Sequence, residues 1–458
     1  MKGLRFAFVT TFYPPHNFGG DGIGVQRWAR ALARRGHHVT VICDTDVYKV
    51  LKTGPAPSAV AEDTGITVHW LRSRIAHLSV LLSHQAGRPV IHAQEIGRIL
   101  EEGRFDVINY HNVSALGGPG VLRMGSALKL YTAWEHWLVC PTHVLWRHNR
   151  EACTGRECLR CVLAYGRPPQ LWRYTHKLER EIQHIDAFIA LSEFSRAKHH
   201  EFGFQRDMEV IPGFLPNPVA GLVSTGAGLV STGADGVTPE ANHSARAGPR
   251  HSDAAQVIEP IEGDRPIHPR PYFFFAGRLE RIKGLDDVIP VFEHYRDADL
   301  VIAGDGSHRA ELERIAGSNP RVRFLGMVTS DLVDRYNAEA IASIVPSAGF
   351  ETFGFVIIEA FRRGTPVVAR RIGPFPELVE SCGGGELFST PGELVAALTR
   401  MQQEPAHRAQ LARAAYEGFL SNWTESAVLP RYFGLLERIA VSRGRSDIAR
   451  TLEEGRAA

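Results

Sequence analysis

The chain has 458 residues, with 44% hydrophobic and 22% charged content, enough to fill two or three cores. Its net charge of +2 gives no electrostatic case for a nucleic-acid partner. No run approaches the ~20 uninterrupted apolar residues of a membrane span, and Met1-Lys-Gly-Leu-Arg5 leads at once into a strand pattern where a secretory leader would need an apolar stretch; a cytoplasmic enzyme is expected.

In chain order, residues 4–11 predict a strand, Gly19-Gly20 a loop, and residues 24–35 a helix that closes at Gly36 ahead of a second strand over 38–43. This is a βαβ opening. The helix presents Arg27, Arg30, Arg34 and Arg35 with Trp28, a basic amphipathic element suited to peripheral contact with anionic lipid, although such a charge run is more often a solvated face. A dinucleotide oxidoreductase would need Gly-x-Gly-x-x-Gly after the first strand; Gly20-Asp-Gly22-Ile-Gly24 breaks that spacing and leaves Asp44 weak support for the role.

Residues 105–111 read as a strand ending in His111, and a lone strand-end histidine is usually structural. The stretch 131–172 is rich in His and Trp and holds Cys140, Cys153, Cys158 and Cys161. Only Cys158-x-x-Cys161 has the tight spacing of a zinc knuckle, and a structural site usually offers two such pairs. Structural zinc and reduced thiols both fit, and a disulfide fits a reducing compartment least. Residues 219–269 differ in kind: Gly221-Leu-Val-Ser-Thr-Gly-Ala227 repeats identically over 228–234, and Gly, Ala, Ser, Pro and Asp fill the rest. With little apolar content to offset the entropy of ordering, this segment is expected to be disordered and dispensable for chemistry.

Residues 272–276 read as a buried strand, followed by Gly277-Arg278-Leu279, then Lys283-Gly284 and a helix over 285–295. Strand ends beside helix starts are where open α/β sheets bind ligands. An Arg and a Lys there suit the developing charge on a departing diphosphate, work that a divalent metal does in other enzymes. Further on, Glu351 lies in a loop and Glu359 inside an apolar helix over 355–363, which ends at Gly364 before Thr365-Pro366 launch a strand over 367–369. The amides of Thr352, Phe353, Gly354 and Phe355 face the mouth of that helix, a setting that favours phosphate. At ~100° per residue, glutamates eight positions apart share no helix face, so they do different jobs. Phosphate donors flanked by carboxylates that accept from hydroxyls suit a sugar nucleotide.

Together these residues resemble family 4 of the glycosyltransferases, retaining enzymes of the GT-B fold. The resemblance spans residues 272–430 and rests on Gly277-Arg278-Leu279 to Lys283-Gly284, Leu300-Val-Ile-Ala-Gly304-Asp-Gly306, Val322-Arg-Phe-Leu-Gly326, and Glu351-x7-Glu359 with Gly364-Thr-Pro-Val-Val. It implies that Arg278 and Lys283 hold the diphosphate, that Glu359 binds the ribose, and that Glu351 with the backbone of Thr352, Phe353, Gly354 and Phe355 holds sugar and phosphate. The backbone after Gly326, near Met327 and Val328, would meet the base. More loosely, Gly19-Gly20 resembles the family's glycine loop near donor phosphate or acceptor, His111 its histidine beside the donor sugar, and Ser192 the serine before the interdomain crossing. Two departures stand out. Trp134 occupies the place of a frequent histidine, with His136 displaced by two, and Gly213-Phe214 replaces an Asn-Gly after Ile211-Pro212.

What the resemblance implies is an α/β GT-B architecture of two Rossmann-like domains facing a cleft. Residues 1–218 would form the acceptor-side domain, 219–269 an insertion in the hinge, 270–430 the nucleotide-sugar domain, and 431–458 helices returning to the first domain. The reaction would move a sugar from a nucleoside diphosphate to an acceptor hydroxyl with retained configuration, in glycan, glycolipid or glycoconjugate biosynthesis, with no cofactor required for catalysis. The competing readings are a sugar-nucleotide 2-epimerase of the same fold and a non-catalytic sugar-nucleotide-binding scaffold. A metal-dependent transferase of the other large fold would use Asp297-Ala-Asp299, but a turn before the next strand explains both aspartates.

Overall fold

The computed structural model describes residues 3–52, 63–218, 224–225, 228–229 and 266–457. The first part of the chain forms β1 (Arg5–Thr10), β2 (His38–Asp44), β3 (Ile66–Leu71), β4 (Val107–Tyr110), β5 (Leu128–Ala133), a short hairpin of β6 (Trp146–Arg147) and β7 (Glu151–Ala152), then β8 (Ala187–Ala190) and β9 (Met208–Val210). Apart from that hairpin, these strands make a parallel sheet in the order β3-β2-β1-β4-β5-β8-β9. Most of residues 219–269, expected to be disordered, lies outside the described residues; within it Ser224–Thr225 (β10) pairs antiparallel with Gly228–Leu229 (β11). A second parallel sheet follows, from β12 (Tyr272–Ala276), β13 (Asp299–Ala303), β14 (Val322–Gly326), β15 (Ser343–Val345), β16 (Val367–Arg370) and β17 (Gly385–Phe388), in the order β14-β13-β12-β15-β16-β17.

Both sheets bury both faces, as parallel sheets with helices on each side must, and successive residues feed opposite cores. In β1, Phe6 and Phe8 enter one cluster while Ala7 and Val9 enter another. In β12, Phe273 and Phe275 lie on one side and Tyr272 and Phe274 on the other.

Three expectations change in detail. The first helix runs Gly20–Arg34, capped at Gly19, so Gly20 and Asp21 stand in its first turn and not in a preceding loop. The helix expected over 285–295 is broken into a 3₁₀ turn at Leu285–Asp287 and a short helix Val291–His294, because Pro290 has no N–H to continue the ladder and instead starts the second piece. Pro430, taken as a boundary, sits inside the helix Glu425–Ser442. The chain actually recrosses at Trp423 to Glu425, where the Leu215 amide donates to the Trp423 carbonyl at 2.9 Å and the Glu425 amide donates to the Leu215 carbonyl at 3.1 Å.

From there Glu425–Ser442 and Ser446–Ala457 pack on the first sheet. Arg431 donates to the Val210 carbonyl at 2.9 Å, Arg438 pairs with Glu209 at 2.7 Å, and Arg443 pairs with Asp186. Trp28 is held between Phe214 and Tyr432, each 4.8 Å away by ring centroids. One apolar cluster therefore runs from Phe6 and Trp28 through Ile358 and Phe361 to Tyr432, joining both halves.

This packing removes the basis for lipid contact by the first helix. Arg27 pairs with Glu359, Arg30 with Asp63, and Arg34 and Arg35 both with buried Glu425, while Trp28 is itself buried. No helix among the described residues is long and apolar enough to cross a membrane.

Burial also sets a pH dependence. It pushes His37, His84 and His199 down to about 4 and His111 to about 3, so the folded chain holds these rings neutral. Unfolded, each takes a proton near 6.5. The unfolded state thus binds more protons below that pH, and stability present above it is lost as pH falls toward 4; the buried carboxyls of Asp44, raised to about 6, and of Asp21, also raised, oppose this in part. The melting temperature is expected to drop steadily from pH 7.5 to 5 in a buffer series, and a flat or rising profile would contradict the neutral buried histidines.

Candidate active site

Strand order reverses between β1 and β4 in the first sheet and between β12 and β15 in the second. Open α/β sheets bind ligands beyond the carboxyl ends of their strands at such reversals. In the first sheet those ends lead to the start of the helix Gly20–Arg34 and to His111; in the second they lead to Gly277 through Lys283 and to Ser347 through Glu351.

On the second side, close backbone contacts place the charged groups. Gly284 adopts a left-handed φ of +71°, and a Cβ there would stand 2.2 Å from the Pro346 carbonyl oxygen. The Ala348 amide donates to the Ile282 carbonyl at 2.8 Å, tying the Arg281–Lys283 turn to the loop after β15. Lys283 Nζ consequently reaches Glu351 Oε1 at 2.5 Å, and Ser347 Oγ donates to the same oxygen at 2.8 Å. Burial pushes the Glu351 carboxyl up, but Lys283, Ser347 and Arg278 outweigh it and hold the group below its ordinary range, so it is a carboxylate. Arg278 itself is exposed at the cleft.

The helix after Glu351 runs Phe355–Phe361, capped at Gly354, with Gly364 in the left-handed region beyond it. Among the described residues nothing accepts from the amides of Thr352, Phe353, Gly354 and Phe355, which leaves four donors for an anion. The first half of the chain grips this mouth from the other side. Ser192 Oγ donates to the Thr352 carbonyl at 2.7 Å, Thr352 Oγ1 donates to the Trp134 carbonyl at 2.8 Å, and Glu377 accepts from the amides of Glu193 and Phe194 at 3.0 and 3.1 Å.

His111 is buried at the end of β4. Trp134 explains its own departure from the family pattern: its Nε1–H donates to His111 Nδ1 at 2.9 Å. An indole can only donate, so Nδ1 must accept and the ring proton sits on Nε2, which has no partner. Trp134 in turn fits because Gly24 has no side chain; a Cβ there would lie 2.3 Å from the indole. His136 is buried, packs near His199 at 5.2 Å between ring centroids, and has the Glu351 backbone as a weak polar partner.

Sequence reasoning missed three groups here. Asp21 accepts from Asn112 Nδ2 at 3.0 Å, and burial and the Glu135 carboxylate raise its pKa while Asn112 and Arg278 pull it back. Asp21 had been passed over as part of a broken dinucleotide fingerprint, and Asn112 follows His111 directly; their adjacency to Gly20 and His111 was the available signal. Glu135 gave no such signal.

Other expected site residues are more spread out. A Cβ at Gly20 would meet nothing within 4 Å, so that backbone faces open space. Gly277 and Gly304 nest their loops, with the Gly277 carbonyl oxygen 1.9 Å from where a Gly304 Cβ would be. Gly326 ends the edge strand β14, Met327 beyond it is 77% exposed, and Val328 packs toward Phe274 and Tyr336. Glu359 stands on the helix after the mouth, paired with Arg27 at 3.0 Å. Asp299 accepts from His268 and Arg270 at 2.9 and 3.0 Å at the amino end of β13, away from the cleft, and Asp44 caps a helix through the Asp46 amide at 2.8 Å.

Two family models match the chain: Glycosyltransferase Family 4 over residues 18–216 and Glycosyl transferases group 1 over 270–404. An uncharacterized glycosyltransferase of Methanocaldococcus jannaschii is 37% identical over 396 residues, covering 82% of this chain and 83% of its own. Among solved structures, a sucrose-phosphate synthase from Thermosynechococcus elongatus superposes with a TM-score of 0.64 at 17% identity, covering 96% of this chain and 100% of that one. Anabaena HepE in complex with UDP and glucose gives 0.60 at 16%, covering 95% and 100%. With two parallel-sheet domains meeting at their switch points, the chain belongs to glycosyltransferase family 4 and is a glycosyltransferase of the GT-B fold.

Proposed function

We propose that this enzyme transfers a sugar from a nucleoside diphosphate to an acceptor hydroxyl with retention of configuration. The observation that carries the reading is the meeting of Lys283, Arg278 and Glu351 with four free amides on one wall of the cleft and a neutral histidine on the other. The diphosphate would take the amides and both cations. As the bond from the anomeric carbon to the phosphate oxygen breaks, Arg278 and Lys283 stabilise the growing negative charge. The acceptor oxygen attacks from the face the diphosphate leaves, and its proton passes to a departing phosphate oxygen. Glu351, kept ionised by Lys283, accepts from a sugar hydroxyl, and His111 Nε2–H donates to another.

Glu359 suits the ribose hydroxyls, which it would accept in exchange for part of its pairing with Arg27. Binding of UDP and glucose by HepE supports a nucleotide-sugar donor, and similarity to a lipopolysaccharide core biosynthesis glycosyltransferase of Rhizobium meliloti and to an uncharacterized protein in a cps region of Klebsiella pneumoniae supports polysaccharide biosynthesis as the setting.

Lys283→Ala or Arg278→Ala is expected to lower turnover by ~100-fold or more, measured as nucleoside diphosphate release in the presence of acceptor. Near wild-type rates in both would sink the assignment. Glu359→Ala should weaken nucleoside diphosphate binding in calorimetry by ~10-fold, the cost of a charged hydrogen bond; unchanged affinity would remove it from the ribose. For Trp134→Phe, which keeps an aromatic ring over Gly24 but deletes the donor to His111, slower transfer with unaltered nucleotide affinity is expected, matching His111→Ala. If Trp134→Phe transfers normally, the indole does not set the state of His111.

A further inference from the structure

The excursion between β5 and β8 is anchored at its ends, where Trp137, Leu138, Trp172 and Ile182 join the core of the first sheet, but its cysteine-bearing middle has little to hold it. Its own apolar cluster buries only Cys140, Leu145 and Phe202, with Val139, Cys153 and Phe350 against them. Yet its backbone is sharply constrained. His143, Leu145, His148 and Asn149 all take left-handed φ values, of 76°, 47°, 53° and 58°. Such conformations persist in non-glycine residues when surrounding structure over-determines them.

All four clustered cysteines line one small cavity at the centre of this excursion, of about 20 Å³, together with Trp146, Arg147 and Glu157. They arrive from three directions. Cys140 comes from the turn after Trp137, Cys153 from the end of the β6–β7 hairpin, and Cys158 and Cys161 from the first turn of the helix Cys158–Ala164, where spacing of three puts them on one face. The cavity has room for about one water-sized sphere. All four are free thiols, held only by weak contacts: Cys140 Sγ with Thr142 Oγ1 at 3.3 Å, and Cys153 Sγ with the Gly155 carbonyl at 3.2 Å. The His148 amide donates to Cys161 Sγ at 3.3 Å, the kind of outer hydrogen bond that orients a metal-bound thiolate. Arg147 and Glu157 line the cavity beside the thiols, with Arg147 already paired to Glu151 at 2.5 Å.

We propose that Cys140, Cys153, Cys158 and Cys161 bind one structural Zn²⁺ as thiolates. Four thiols give up their protons to solvent as four Zn–S bonds form, each ~2.3 Å long in a closed tetrahedral site. Among the described residues only Asp44, Asp46 and His92 already bring three ligand atoms within 4.8 Å, so the cysteine side chains turn inward to close on the metal. The ion is a clip and takes no part in transfer. Its effect reaches the cleft through Trp146, whose ring lies 3.2 Å from where a Gly349 Cβ would stand, and through Phe350, which shares the cysteine cluster; Gly349 and Phe350 directly precede Glu351 in the chain.

Metal analysis of the full-length protein, purified under reducing conditions without added zinc, is expected to give about one zinc per chain. Titration with an organomercurial should release it as four thiols react, and cobalt substitution should give the intense absorption of tetrahedral thiolate coordination. Cys158→Ser and Cys161→Ser should lose the metal, while Cys43→Ser and Cys382→Ser keep it. Should the first two variants fail to fold, the mercurial titration of the wild-type protein still decides. Zinc-free protein that takes up neither zinc nor cobalt, or alkylation mapping that finds these cysteines paired as disulfides, would overturn the site.

Discussion

The two halves of this enzyme are held in register by one buried carboxylate and the apolar seam around it. Glu425, only 6% exposed, sits where the chain recrosses to the first domain and receives both Arg34 and Arg35. A carboxylate taken out of water is tolerable only when paired and hydrogen-bonded, and its partners come from the far end of the first helix. Trp28, about two turns earlier, fills the space between Phe214 on the segment after β9 and Tyr432 on the returning helix. This seam fixes how the walls of the cleft meet, and the contacts of Ser192, Trp134 and Glu377 with the opposite wall follow from it.

Within the cleft, charge is arranged before any substrate arrives. Lys283 and Glu351 satisfy each other, so neither is left as an isolated buried ion, while the amides at the helix mouth and Arg278 stay uncommitted. On the function proposed, an incoming diphosphate would meet donors already in place, which would spare the reorganisation that water needs. Arg27 and Glu359 form the matching arrangement across the interface. If the ribose takes Glu359 as proposed, it and Arg27 would address one carboxylate, and nucleotide affinity and domain closure would be thermodynamically linked.

Much of this was legible in the sequence because parallel strands buried on both faces are short apolar runs, and β12 and β16 fall where those runs predict them. The Glu351 to Gly364 unit was legible for a related reason: glycine, proline and helix-end chemistry mark its limits locally. What escaped depends on partners distant in sequence. The arginines of the first helix read as a solvated or lipid-facing row, since nothing near them announces Glu425 or Glu359. Trp134 stands out in the sequence only as a departure from the family pattern, and only the folded chain shows its indole holding His111. Asp21 was hidden by a motif it failed to complete. Pro290 and Pro430 show the limits of a local rule: the first breaks a helix, while the second is carried within one whose packing is extensive.

The path of the chain has a consequence for how the protein is made. Its first sheet and first helix leave the ribosome early, but the surface that covers Trp28 belongs to Tyr432, and the charge that neutralises Arg34 and Arg35 belongs to Glu425. Domain-by-domain folding during synthesis can complete the face of the first sheet whose core comes from the first half alone, but not this seam. The nascent first half must wait, with an aromatic seam uncovered, while the entire second domain is translated and folds. The interval is set by chain length, and it is the stage at which this enzyme has most need of a chaperone.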